Sequence, residues 1–310
     1  MQMFKSKLRF IPQEKISLYL TVFMVLLAFI ANGQTVKPLR LFFIGNSFSQ
    51  NASRFLPQIS ESGGHKLIIG RAEIGGCPLQ KHWEAVEAND ADSKDPKGMP
   101  YNGKSLRALL SDGVWDVVSI QQYSLLSGDS ATYEPYAAKL YQFIKQLQPD
   151  AKVVFHQTWA YRIDAKEFGK IHGEKRAESQ EQMWEYSRSA YHKVAGDLGI
   201  KIVPTGDAFQ KINSNIKLGF KKDLKFNYEN PGFPLLPDQL HSLNVGYSYS
   251  KEHKLNFDPN HANDAGCYLA GLVWYTFLFK DEPAKVSFKP ETVDEAFAKE
   301  LKKAAKAVVK

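Results

Sequence analysis

The chain is 310 residues long, 44% hydrophobic, 13% aromatic and 24% charged, with two cysteines. That composition excludes a disordered, collagen-like or disulfide-stapled chain and suits a globular protein with a generous core. A formal charge of +7, with basic residues scattered among acidic ones, is too mild to mark a nucleic-acid binder.

Residues 1–33 read as a secretory leader. Lys5, Lys7, Arg9 and Lys15 precede an almost wholly apolar stretch over 16–31, and Ala31-Asn32-Gly33 supplies the small residues of a cleavage site. An uncleaved anchor is the competing reading, but the stretch falls just under spanning length. No cysteine follows it, which argues against a lipoprotein anchor. Cleavage would lower the charge to +4 and leave residues 34–310 secreted or periplasmic, without stable membrane insertion. No linker, repeat or low-complexity tract divides that segment, so one domain is expected. Cys77 and Cys267 would meet an oxidising compartment. A disulfide and two buried free thiols both remain open, because sequence does not supply their separation.

Strand-length apolar runs then alternate with helix-period segments. Residues 40–44, 66–70, 115–121, 152–157 and 201–203 are short, rich in Val, Ile and Phe and mostly continuous, as in strands buried on both faces. Helical periodicity fills 51–62, 133–148 and 178–198, with Pro149-Asp150 and Gly199 at helix exits. The alternation predicts an α/β fold with a parallel sheet of about five strands and helices on both faces. In such sheets ligands sit beyond the carboxyl ends of the strands.

Three of those strand ends carry chemistry. Ser47 follows the first strand in Gly45-Asn46-Ser47, so its hydroxyl is expected at the ligand edge and its amide near a helix N-terminus. Asn46, Ser47 and Ser49 would equally serve to turn the chain and cap a helix beginning near Gln50. The second strand leads into Gly75-Gly76, where a free amide could bind an oxyanion, though paired glycines also make an ordinary turn. Gln121-Gln122 close the third strand. Either side chain could donate to the same oxyanion, or both could only tie down loop backbone.

Near the other end, Asp258-Pro259-Asn260-His261 precedes an apolar helix over 262–280. Asp258, held in a Pro-containing loop, would reach one nitrogen of His261 while the other faces the cleft. The competing reading makes Asp258 or Asn260 a helix cap and His261 an ordinary surface histidine.

The order of these blocks resembles the SGNH (GDSL-type) hydrolase superfamily and, more closely, a secreted branch of it frequent in Bacteroidetes and catalogued as a domain of unknown function. The stretches that carry this are Ile44-Gly45-Asn46-Ser47-Phe48-Ser49, Ile74-Gly75-Gly76-Cys77-Pro78-Leu79 with His82-Trp83, Gln121-Gln122-Tyr123-Ser124, Thr158-Trp159-Ala160-Tyr161, residues 202–208 and Asp258-Pro259-Asn260-His261. The resemblance implies a three-layer α/β/α sandwich of flavodoxin-like type and metal-free, cofactor-free ester hydrolysis. Ser47 would be the nucleophile, His261 the base and then acid, and Asp258 the residue that orients His261. The amides of Ser47 and Gly76 and an amide side chain, Gln122 rather than Gln121, would hold the oxyanion. Asn46 stands where the commonest nucleophile block has Asp, and the usual Gly-x-Asn-Asp third block is absent.

A long insert over 218–257 carries Phe220, Phe226, Tyr228, Phe233, Tyr247, Tyr249 and His253, and is expected to roof the cleft. Trp159 and Tyr161 are expected at the same edge. Aromatic faces bordered by Asn, Asp and Gln suit sugar rings, although they could equally give the insert its own small core. The expected substrate is therefore an acylated, most simply acetylated, glycan. The alternative is a carbohydrate-binding protein that has lost turnover. Metal-assisted phosphoester hydrolysis is poorer, since no ligand cluster is visible. Residues 291–310 read as an amphipathic surface helix without chemistry, and the sequence leaves oligomeric state open.

Overall fold

The computed structural model describes residues 37–309, and the compact unit begins at Pro38. The leader read over 1–33 lies outside the described residues. Five parallel strands, β1 (Leu39–Gly45), β2 (Leu67–Glu73), β3 (Val117–Ile120), β4 (Lys152–His156) and β5 (Lys201–Val203), lie in the order β2-β1-β3-β4-β5. β1 is an interior strand, between β2 and β3, and its run is apolar on both faces. Leu41 and Phe43 enter one core while Phe42 and Ile44 enter the other.

Besides a short helix over Leu106–Ser111, eight α-helices among the described residues frame the sheet: α1 (Ser47–Ser53), α2 (Leu56–Ser62), α3 (Leu79–Ala91), α4 (Tyr136–Leu147), α5 (Gln180–Leu198), α6 (Thr205–Asn213), α7 (Asp264–Phe279) and α8 (Glu295–Val308). The core holding Leu41 and Phe43 is filled from α1, α2, α6, α7 and α8, the one holding Phe42 and Ile44 chiefly from α3, α4 and α5. The result is a three-layer sandwich, as the βα alternation predicts. Helix α7 is apolar all round and almost wholly buried. Such a helix cannot lie on the surface, so α8 packs over it and hides its outer side. Among the described residues, no helix is long and apolar enough to cross a membrane.

Two elements depart from the sequence reading. The first helix starts at Ser47 itself, because the Asn46 side chain accepts the Phe48 N–H and caps it. The segment before the last core helix is a hairpin, β6 (Asn244–Tyr249) with β7 (Leu255–Ala262), so Asp258 and His261 sit on a strand and α7 begins only at Asp264, capped by Asn263. The insert is therefore partly sheet. β1 pairs with both β2 and β3, which places the reversal of strand order beside the end of β1. The crevice rule locates ligands there.

Candidate active site

Ser47 occupies the first turn of α1, just past the end of β1. Its Oγ lies 2.9 Å from Nε2 of His261, and Nδ1 of His261 lies 2.8 Å from Oδ2 of Asp258. The other carboxylate oxygen of Asp258 accepts the backbone N–H groups of Asn260 (3.2 Å) and His261 (3.0 Å), so the carboxylate is oriented by its own turn. An ionised carboxylate only accepts. Nδ1 therefore carries the proton, and the bare Nε2 accepts the Ser47 O–H.

The electrostatics agree with that assignment. The bond to Asp258 raises the His261 pKa above its ordinary value, against a burial effect that pulls it down. Burial would raise the Asp258 carboxyl, but the hydrogen bonds from the His261 ring and from the His261 and Asn260 amides together hold it low. Both side chains are about one-third exposed, at 36% and 35%, so the pair opens to solvent.

Three contacts fix His261 relative to Ser47. The Ala262 N–H donates to Asn51 Oδ1 of α1 at 3.0 Å. Trp159, fully buried, stacks on Phe48 with ring centres 4.3 Å apart and donates its indole N–H to the Asn260 carbonyl at 2.9 Å. The Arg162 N–H donates to the Pro259 carbonyl at 2.8 Å. One aromatic ring thus braces Phe48, the neighbour of Ser47, and Asn260, the neighbour of His261.

Gly76 stands in the loop after β2 with φ +63, a backbone conformation that glycine adopts without a steric penalty. Its N–H and that of Ser47 find no acceptor among the described residues. Asn46 holds the two segments together, since its Nδ2 donates to the Cys77 carbonyl at 3.0 Å. The edge of Tyr123 stands nearest to Gly76, 3.8 Å from where a Cβ would be. Two free amides at a helix start and a tight turn are suited to a developing oxyanion.

Neither glutamine joins them. The Gln122 Oε1 accepts the Leu79 and Tyr123 amides, and its Nε2 donates to the carbonyl and hydroxyl of Thr132. Gln121 donates to Asn46 Oδ1 at 2.7 Å and accepts from His156 Nδ1 at 2.8 Å. The expectation of an amide side chain at the oxyanion is corrected accordingly. Both groups are consumed inside the fold, which position in sequence alone does not reveal.

Trp159 and Tyr161 are buried and do not line the edge, the Tyr161 hydroxyl being paired with Ser124. The insert's aromatics divide between a cluster about the buried Arg162 and an exposed pair. Phe220, Tyr247 and Phe257 surround the Arg162 guanidinium at 4.2, 5.3 and 5.0 Å, while Phe233 stacks on His253. Cys77 and Cys267 are buried free thiols, each pushed up to about 12 by burial. Sequence reasoning missed Asn51, His156 and Arg162, singled out His82 without a role, and placed Trp159 at the wrong surface. Among the described residues, no three His, Cys, Asp or Glu side chains gather as metal ligands.

Comparison with known proteins agrees with this architecture. The model of a family described as a domain of unknown function, DUF4886, matches residues 40–230. A DUF4886 family protein from Bacteroides uniformis, known from its crystal structure, is 24% identical and superposes with a TM-score of 0.65, covering 87% of this chain and 93% of that one. A protein from Chitinophaga pinensis described as a possible lipase is 14% identical, with a TM-score of 0.42 over 78% of this chain and 98% of its own. No curated protein matches the chain.

Proposed function

This chain belongs to the DUF4886 family, and from that premise we propose that it is a secreted serine esterase removing small acyl groups, acetyl in the first place, from carbohydrate. The observation that carries the proposal is the unbroken line of contacts from the Ser47 hydroxyl through His261 to Asp258. Each contact is within proton-transfer reach.

The chemistry follows from the atoms present. Ser47 Oγ attacks the ester carbonyl while its proton passes to Nε2 of His261, and Asp258 steadies the imidazolium that forms. The carbonyl oxygen becomes an oxyanion facing the Ser47 and Gly76 amides. His261 then returns the proton to the departing sugar oxygen, leaving an acyl group on Ser47. Water, deprotonated by the same nitrogen, releases the carboxylic acid and restores the hydroxyl.

A base and acid about one-third exposed suit an ester on a bulky, hydroxyl-rich polymer rather than an engulfed small molecule. The edge of the Tyr123 ring beside Gly76 crowds that part of the site, which supports a short acyl chain. The purified mature protein should take up a fluorophosphonate probe at Ser47, cleave short-chain nitrophenyl esters and release acetate from an acetylated glycan. Ser47→Ala and His261→Ala should abolish all three. Glycan binding with no labelling of the unmodified protein would overturn the esterase reading, while labelling without acetate release from any acetylated glycan would overturn the substrate.

A further inference from the structure

Two histidines buried beneath the nucleophile take no part in the proton transfers above, and one of them is incompletely bonded. His156, at the end of β4, is fully buried; its Nδ1 faces Gln121 Oε1 at 2.8 Å, whereas its Nε2 has no partner. Because Gln121 spends its Nε2 on Asn46, its Oε1 must accept, so His156 is protonated at Nδ1 and bare at Nε2. The line continues without a break. Asn46 Oδ1 accepts from Gln121 at 2.7 Å and from the Phe48 N–H at 3.0 Å, and Asn46 Nδ2 donates to the Cys77 carbonyl at 3.0 Å. Asn46 thus ties the first turn of α1, with the Ser47 amide, to the turn that carries the Gly76 amide.

We propose that His156 is a positioning residue, acting through Gln121 and Asn46 to fix the separation of the Ser47 and Gly76 amides. The inference rests on the esterase reading for its kinetic consequence, though not for its structural one. It explains two features that the hydrolytic chemistry leaves unused. Asn rather than Asp stands at position 46 because a carboxylate would have no N–H for the Cys77 carbonyl and would repel it. Gln at 121 suits this place because its amide can accept from an imidazole and donate to Asn46 at once. The tautomer that the relay demands leaves Nε2 a bare acceptor, to which the relay assigns no role.

His156→Leu removes the donor while filling the space, whereas His156→Asn keeps an N–H near Nδ1. With a nitrophenyl ester, His156→Leu should lower kcat by about tenfold with KM nearly unchanged, as expected when an interaction realised in the transition state is lost. His156→Asn should recover most of that loss. The pH midpoint of fluorophosphonate labelling, set by His261, should not move in either variant. In amide NMR spectra, His156→Leu should displace the Ser47 and Gly76 signals and leave the Asp258–His261 segment in place. Unchanged kcat, or amide shifts spread evenly over the molecule, would overturn the relay. Should His156→Leu fail to fold, Gln121→Met serves for the same measurements, with the same expected and overturning results. If the unmodified protein is never labelled, the esterase reading falls, and the amide shifts decide the relay alone.

Discussion

Asp258 does two things to His261: it keeps the proton on Nδ1 and it makes the ring harder to deprotonate when charged. Replacement by Asn keeps the size but loses the charge and allows the opposite tautomer, with Nε2–H pointing at Ser47. Asp258→Asn should therefore cut kcat by roughly 10³-fold or more. The pH profile separates the two effects. His261 must be neutral to accept the Ser47 proton, and its pKa is raised above 6.5, so kcat/KM should climb through a midpoint above 6.5 and level off in mild alkali. In Asp258→Asn the residual activity should climb earlier, with the midpoint falling toward 6.5. A midpoint that stays put would show that Asp258 does not govern this imidazole. The Asp258–His261 pairing was legible in the sequence because a short Asp-x-x-His spacing lets the pair form locally. The partners of Gln121 and Gln122 were not, since saturation of an amide depends on residues from other elements, such as His156, Thr132 and Leu79.

At the scale of elements, the proposed reaction needs the β6–β7 hairpin seated rigidly, because it carries both Asp258 and His261. The seat is Arg162. Its guanidinium is buried with Asp164 in a two-pronged pair at 2.7 and 2.9 Å, donates to Gln239 Oε1 at 2.7 Å and is ringed by Phe220, Tyr247 and Phe257. Gly246, at φ +70, is forced here, since a Cβ would fall 2.0 Å from Arg162 Nη1. Arg162→Met keeps most of the stem but strands the Asp164 carboxylate in the interior, at a cost of about 3–5 kcal/mol. Urea denaturation should register that loss, and kcat should fall with it as the hairpin loosens. A variant as stable as the parent would mean that the pair is dispensable. The five sheet strands were readable because runs such as Leu41 to Ile44 are apolar on both faces. The hairpin was not readable, because Gly246, Pro259 and its Asn residues signal turns. Composition likewise gave seven aromatic rings in the insert without saying whether they face a ligand or, as for Phe220 and Tyr247, a buried arginine.

For the whole molecule, the same buried polar bonds that organise the nucleophile also tie stability to pH. His82 Nε2 donates to the Gly45 carbonyl at 3.1 Å and its Nδ1 accepts the Tyr101 hydroxyl at 2.7 Å, so it too is held in one neutral tautomer directly under β1. Burial lowers His82 from 6.5 to about 4 and His156 from 6.5 to about 3. A histidine whose folded pKa is depressed binds its proton first in the unfolded chain. Its contribution is complete above pH 6.5, shrinks as pH falls from 6.5 toward the folded value, and changes no further below it. Each histidine should add a slope of about 1.4 kcal/mol per pH unit across that window. Urea midpoints measured between pH 8 and pH 4 should therefore drop steeply below 6.5, and His82→Gln, which can still donate to the Gly45 carbonyl, should flatten the drop between pH 6.5 and 4. The difference between variant and parent isolates this histidine from the carboxylates that titrate alongside it. Parallel curves would mean that His82 takes up its proton inside the fold as readily as in the unfolded chain. In that event the Gly45-Asn46-Ser47 segment would rest on an imidazolium, and the neutral underpinning of the nucleophile would have to be abandoned.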